Sequence, residues 1–321
     1  MPNEQGPPRS PKFIDPHLDH RKAQEKAHFD AVRSSSDPMA SLLTVEINLT
    51  ELCNRTCVFC PRVDPAIYPN RNLHMGRATV EKVATDLADM GSNCRISFSG
   101  YGEPLLHEDL PTVLRAFHGH LPNNTLEINT NGDRLTADVI KELFDCGLRY
   151  LYVNLYDGPE QTEIFKEMFE TAGLEESVWR LRPHWPGSDG GYGLTLNNRS
   201  GVLASEEAAV GPLAEPLAMR CHYPLYKMLV DWNGDVLFCS NDWGREIIVG
   251  NVMNSSVREL WLSERMLEVR RALMKGDRSH SPCNACDVHG TLSGGPSFER
   301  LLTHYLSAGL ITSDEMPGDL T

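Results

Sequence analysis

Between residues 42 and 198 the chain alternates short apolar runs with longer stretches whose apolar residues recur at helical spacing. The runs at 42–49, 95–100, 125–130, 150–156, 177–182 and 193–198 read as strands, and the stretches at 78–90, 107–120, 136–147 and 160–173 as amphipathic helices. Strands joined by crossovers of this length lie parallel, because a helix-long connection returns the chain to the edge at which the previous strand began. Six such units are too few to close an eight-stranded barrel. The expected fold is therefore α/β, a partial (β/α)6 TIM-like barrel that stays open.

The rhythm stops after residue 200. Residues 201–220, rich in Ala, Glu, Pro and Gly, read as a linker, and 226–240 as a hairpin whose two apolar runs meet at an Asn233-Gly234 turn. A helix is predicted over 256–276, closed by Gly276, with Cys283-Asn284-Ala285-Cys286 shortly after it. The expected organisation is an N-terminal extension (1–40) with a short polar helix around 17–33, the partial barrel (41–200), the linker, a small hairpin-plus-helix domain (221–290) and a C-terminal tail (291–321).

Composition narrows the partners. A net charge of -14 argues against nucleic acid, whose phosphates are met by clustered Lys and Arg. The polar, proline-rich opening has no apolar signal core, and no segment reaches the roughly 18 uninterrupted apolar residues of a membrane span, so the expected address is the cytoplasm.

Seven of nine cysteines fall into two groups, Cys53-x3-Cys57-x2-Cys60 and Cys221, Cys239, Cys283 and Cys286. Three thiolates in one short loop can hold three irons of a 4Fe-4S cluster and leave the fourth open, whereas four thiolates can close a cluster completely. The first group directly follows the first strand, at the edge where open α/β sheets bind ligands. A partial zinc knuckle and a four-thiolate zinc site are the alternatives for the two groups.

With Phe59 immediately before Cys60, the first group resembles the signature of the radical S-adenosylmethionine (SAM) superfamily. The resemblance implies that the open iron binds SAM and that reductive cleavage yields a 5'-deoxyadenosyl radical, which takes hydrogen from substrate. Gly100-Tyr101-Gly102-Glu103-Pro104 ends the second strand where the family carries a Gly-Gly-Glu-Pro motif that holds the SAM amino group; Tyr101 departs from that pattern. Asn131 and Asn154, at the ends of the third and fourth strands, are candidates for the SAM carboxylate or ribose, or equally for capping the next helix. The hairpin cysteines followed by Cys283-x2-Cys286 resemble the twitch domain, a shortened SPASM domain with one auxiliary 4Fe-4S cluster. The implied cofactors are thus two 4Fe-4S clusters and SAM.

Further stretches, Thr130-Asn131-Gly132-Asp133, Asn197-Asn198-Arg199-Ser200-Gly201 and Asp242-Trp243, resemble the radical SAM dehydrogenases of aminocyclitols, typified by the 2-deoxy-scyllo-inosamine dehydrogenase of butirosin biosynthesis. That resemblance implies oxidation of a carbinol to a ketone in an aminocyclitol, aminoglycoside or sugar. The auxiliary cluster would take the second electron, and a reductant such as flavodoxin or ferredoxin would supply the first. Arg199 is implied as the grip on the substrate hydroxyl, acting electrostatically because guanidinium stays protonated. Asp242, three residues past Cys239, is the candidate proton acceptor or amine anchor, or else a hairpin-end turn residue.

The competing chemistry is radical epimerisation, often completed by a thiol hydrogen donor. The two remaining cysteines, Cys94 and Cys146, are expected at the opposite, N-terminal edge of the barrel, out of reach. Carbon–carbon coupling in a nucleoside pathway, peptide modification and a non-catalytic zinc or iron–sulfur scaffold are further alternatives.

Overall fold

Eight strands form one sheet in the order β5-β4-β3-β2-β1-β6-β7-β8: Thr44–Ile47 (β1), Arg95–Phe98 (β2), Leu126–Thr130 (β3), Tyr150–Leu155 (β4), Trp179–Pro183 (β5), Lys227–Val230 (β6), Asp235–Leu237 (β7) and Ile248–Asn251 (β8). The computed structural model of the chain describes residues 25–26, 28–185, 196–206, 210–290 and 293–316. Strands β1 to β5 are parallel and follow the predicted runs. Helices Arg77–Asp89 (α1), Leu110–His120 (α2), Ala137–Asp145 (α3) and Glu160–Thr171 (α4) lie between them.

The parallel strands alternate. Val45, Ile47, Ile96, Phe98, Leu126, Ile128, Leu151, Val153 and Leu155 join the core with Val83, Leu87, Leu114, Phe117, Ile140 and Phe169 of the helices. The intervening positions are polar: Glu46, Ser97, Glu127, Asn129 and Asn154. A parallel sheet covered on both faces reads as continuous apolar runs. Here only the helix-covered face is apolar, which leaves the other face for polar ligands.

The predicted sixth strand, 193–198, falls partly outside the described residues, and its described part, 196–198, is not strand. The sheet instead grows on the other side of β1. Val45 and Ile47 are matched in register by Met228 and Val230 of parallel β6, and β7 and β8 add antiparallel strands. The hairpin is thus an extension of the barrel sheet, because β1 leaves an edge that an apolar strand can cover.

The helix predicted over 256–276 is two helices, Val257–Trp261 (α5) and Glu264–Met274 (α6). Ser263 splits it by accepting the Met266 N–H and capping a new first turn. The C-terminal stretch expected as a tail contains helix Phe298–Ser307 (α7). Its Phe298, Leu301, Leu302 and Tyr305 pack with Phe29, Val32, Leu225 and Met274, so both ends of the chain close one small second core.

Candidate functional site

Cys53, Cys57 and Cys60 lie on the loop after β1, all half-buried. One residue fixes that loop. The Arg55 guanidinium donates to both oxygens of Asp133, after β3, at 2.8 and 2.5 Å, and to both of Asp157, after β4, at 2.8 and 2.6 Å. Asn54 adds a bond to Asp133 at 2.6 Å, and Asn70 brackets Cys53 by accepting its N–H and donating to its carbonyl. Burial and the two neighbouring thiols push Cys57 up to about 12. Three mutually interacting thiols that resist ionisation fit a polynuclear iron site, whose metal charge displaces the protons.

The Gly100–Pro104 segment closes over this loop. A Cβ on Gly102 would lie 2.0 Å from the Thr50 carbonyl oxygen, so the backbone approach demands glycine. The buried Glu103 carboxylate accepts from Thr130 Oγ1 at 2.6 Å, Asn131 N at 2.8 Å and Leu105 N at 3.0 Å. It ties the ends of β2 and β3 together. Asn131 reaches Asn54 of the cysteine loop at 2.8 Å, and Asn154 donates to Asn129 and Thr130. Phe59 packs beside Tyr156 and His184, 6.2 and 6.1 Å between centroids. The candidate SAM residues therefore meet at the C-terminal edge of the parallel sheet, already bound to one another.

Tyr101 faces the hairpin. Its backbone N–H and that of Gly102 donate to Asn48 Oδ1, whose amide donates to Asp231 at 2.7 Å; its ring packs between Tyr68 and Trp243. Arg245 completes the junction, paired with Asp231 and Glu51 and donating to the Tyr68 hydroxyl.

Cys221, Cys239, Cys283 and Cys286 line one cavity together with Ser200, Tyr223, Asn241, Leu273 and Arg278. Among the described residues no three His, Cys, Asp or Glu side chains meet closely enough for a single metal ion, so these thiols bound a volume rather than a point. Gly290 cradles one of them: a Cβ there would lie 2.2 Å from the Cys221 sulfur. Burial pushes Cys239 up to about 12, aided by Cys221. The donor set fits a fully ligated cluster.

Residues 198–201 bridge the two sites. Asn198, fully buried, donates to the carbonyls of Gly211 and Ala285 and accepts from Gly201 and Asp287, while its own N–H donates to Asp287. Arg199 and Ser200 then adopt φ of 50° and 53°, a left-handed backbone that non-glycine residues rarely take. Arg199 interacts electrostatically with Cys60 and Asp287, and burial lowers its affinity for its proton. Among the described residues its buried Nε has no hydrogen-bond partner. Ser200, the next residue, lines the four-cysteine cavity.

Asp242, expected as a proton acceptor, an amine anchor or a hairpin-end turn residue, makes the bonds of a turn residue. It is fully buried, and its two oxygens accept the N–H groups of Glu246 and Ile247. Its carboxylate shapes the turn after Cys239. Arg55, Asp133, Asp157, Asn198, Asp287, Tyr156 and Arg278 escaped the sequence reading. Of these, Arg55, Asp133 and Asn198 stand in stretches that carry a resemblance. Cys94 directly precedes β2 and Cys146 follows α3, both buried at the opposite edge of the sheet.

A three-cysteine loop at the C-terminal end of β1, joined through one sheet to a cavity lined by four cysteines, defines an iron–sulfur enzyme of the radical SAM type. Family models agree: the Radical SAM superfamily matches residues 47–181, and the SPASM iron-sulfur cluster-binding domain residues 221–287. The chain is a radical SAM enzyme with a SPASM domain, and its cofactors are SAM, a SAM-binding 4Fe-4S cluster and an auxiliary 4Fe-4S cluster. It is similar to the S-adenosyl-L-methionine-dependent 2-deoxy-scyllo-inosamine dehydrogenase of Niallia circulans, 28% identical over 263 residues that cover 78% of this chain and 94% of that one. It also resembles the crystal structure of BtrN in complex with AdoMet and 2-DOIA, with a TM-score of 0.63 at 26% identity over 76% of this chain and 92% of that one. A GTP 3',8-cyclase of Mesorhizobium japonicum is 27% identical over 123 residues, 37% of this chain and 36% of its own. Among the described residues no helix is long and apolar enough to cross a membrane.

Proposed function

We propose that the chain is a radical SAM dehydrogenase that oxidises a carbinol of an aminocyclitol, aminoglycoside or sugar to a ketone. One observation carries the proposal: adjacent residues serve the two cysteine sites, Arg199 within electrostatic range of Cys60 and Ser200 lining the cavity of Cys221, Cys239, Cys283 and Cys286. A small substrate held by Arg199 stands within reach of both a hydrogen acceptor and an electron acceptor. The name of the Niallia circulans relative, a dehydrogenase of 2-deoxy-scyllo-inosamine, supports the substrate class.

The cofactors supply the deoxyadenosyl radical at the first site and one-electron acceptance at the second, with an external reductant such as a flavodoxin or ferredoxin providing the electron for SAM cleavage. The protein positions Cys53, Cys57 and Cys60 for the first cluster and the remaining four cysteines for the second. Phe59, Gly100 to Glu103, Asn131 and Asn154 form the SAM wall. With those groups bound, oxidation of the carbinol would require loss of its C–H hydrogen atom at the first site, of its O–H proton to solvent or a base, and of one further electron, for which the four-cysteine site would hold the acceptor. Arg199 holds the oxygen and stabilises the charge that develops there as the proton leaves. Asp242 contributes by fixing the turn that carries Trp243, over which the Arg199 guanidinium lies at 5.9 Å.

Anaerobic reconstitution, iron counting and incubation with SAM, reductant and a panel of aminocyclitols test this. About eight irons per chain, deoxyadenosine and a product lighter by two hydrogen atoms are expected. An isomeric product that gains deuterium from heavy water would establish epimerisation instead. Cys239→Ala is expected to release deoxyadenosine without ketone, and full ketone formation without the second cluster would remove the electron-acceptor role.

A further inference from the structure

The auxiliary cavity has an electrostatic character that its four cysteines alone do not explain. Asn241 is 9% exposed and sits two residues past Cys239. Its backbone N–H donates to the Cys239 sulfur at 3.4 Å, and its side-chain amide approaches the same sulfur at 3.8 Å. That sulfur, a thiol here, becomes a thiolate when iron is bound.

Arg278, 2% exposed, lines the same cavity. It donates only to neutral carbonyls: Met219 at 2.9 Å, Val288 at 2.6 Å, Arg220 at 3.0 Å and His289 at 2.8 Å. No carboxylate among the described residues pairs with it, and a buried guanidinium without a counter-ion is costly. It shares that cavity with Cys221, Cys239, Cys283 and Cys286. A second cation, Lys227, approaches Cys239, but Glu46 at 3.3 Å offsets part of its charge. The first cysteine loop differs, since there the Arg55 cation is met by the two carboxylates Asp133 and Asp157.

We propose that Asn241 and Arg278 are potential-setting residues, which stabilise the extra negative charge of the reduced auxiliary cluster and make that centre an electron acceptor. Hydrogen bonds to cluster sulfur and net local charge are two of the levers that set iron–sulfur potentials. A donor aimed at a sulfur, or an uncompensated cation beside it, favours the more negative oxidation state and so raises the potential. One electron leaves the substrate radical, one is gained by the auxiliary centre, and the proton departs separately. The inference rests on the dehydrogenase proposal for its purpose, though its physical content concerns the cluster alone.

The test uses the full chain with Cys53, Cys57 and Cys60 replaced by alanine, so that the auxiliary cluster is the only source of signal in a redox titration followed by electron paramagnetic resonance. Asn241→Leu is expected to shift the midpoint potential downward, and Asn241→Asp further down. Arg278→Gln should shift it the same way, but it also strips four carbonyls of their donor, so the Asn241 variants carry the test. An unchanged midpoint in both of them overturns the proposal, as does a shift in Asn241→Asp alone, which would be a plain charge effect. Absence of any cluster in the parent triple-alanine chain would instead remove the auxiliary-cluster assignment beneath the dehydrogenase reading.

Discussion

The Tyr101 hydroxyl donates to the backbone carbonyl of Asp242 at 2.8 Å, both groups buried. The bond joins the segment after β2 to the turn after β7, and thus the SAM wall to the loop that carries Cys239. Tyr101 departs from the family's glycine at this position, and the departure has a use, because a glycine would offer neither hydroxyl nor ring to the hairpin. Tyr101→Phe leaves the Asp242 carbonyl with the Arg245 N–H at 3.1 Å as its remaining donor, and the lost bond costs about 0.5–1.5 kcal/mol. Tyr101→Gly also removes the ring between Tyr68 and Trp243, for about 3–5 kcal/mol. Expected outcomes are a lowered apparent melting temperature in the order wild type, Phe, Gly, and loss of the auxiliary cluster on the glycine variant before loss of the first. Equal melting of all three would remove Tyr101 from the junction.

Arg55 predicts a graded result. Asp133, at 26% side-chain exposure, also receives Asn54, whereas Asp157 is 56% exposed and easily solvated. Both pairs are bidentate and lie at the surface, where a pair is worth about 0–1 kcal/mol, with the less exposed Asp133 at the upper end of that range. Asp133→Asn should therefore loosen the Cys53–Cys60 loop more than Asp157→Asn, with Arg55→Ala the most severe. Iron retention at the first site during incubation with a chelator measures this, and the auxiliary cluster in the same sample serves as the internal reference.

How far the sequence carried this picture depends on whether a feature is local. Strands β1 to β5 and helices α1 to α4 were legible because their apolar residues repeat at the strand or helix period within a dozen residues. Both cysteine groups were legible because chemistry restricts what clustered thiols can do. The pairing of β1 with β6 was not, since Thr44 and Lys227 meet only after the intervening chain has folded. The spacing of Asp242 to Cys239 leaves a base and a turn residue equally open, and the bonds it accepts from the Glu246 and Ile247 N–H groups are ones no spacing reveals. Arg278 reads as one more surface arginine until four carbonyls and a cavity of thiols surround it.

Asn198 holds Arg199 in its left-handed conformation, and every polar atom of its side chain is used in doing so. Asn198→Ala should release the 198–201 loop from the Gly211 and Ala285 carbonyls and from the Asp287 N–H without touching a cysteine, leaving the backbone bond to the Asp287 carboxylate. Arg199 would then lose its fixed left-handed backbone and its place over the Trp243 ring. Expected is a raised KM for substrate, with a growing excess of deoxyadenosine over product, because SAM cleavage continues while the substrate is poorly held. Two clusters by iron count and unchanged deoxyadenosine release without substrate would separate this from misfolding. A variant with wild-type KM and wild-type coupling would show that Arg199 needs no such support.

Glu103 links the fold to pH. Burial pushes its carboxyl up to about 7, above the usual carboxylate range, although donors from Asn131, Thr130 and Leu105 oppose the rise. The folded state thus favours the protonated acid relative to the unfolded chain. The corresponding stability is fully present below the ordinary value near 4.5 and is lost as pH rises through about 7. Between pH 5 and 8 the reconstituted protein should melt at progressively lower temperature, from a linkage on the order of 3 kcal/mol. A negatively charged cluster at Cys53 would raise the carboxyl further and steepen the trend. Glu103→Gln removes the ionisation and should flatten the profile. It should also melt below wild type at pH 5, because an amide N–H in place of a carboxyl oxygen faces the Asn131 donor. Parallel profiles for wild type and variant would assign the pH dependence to another group.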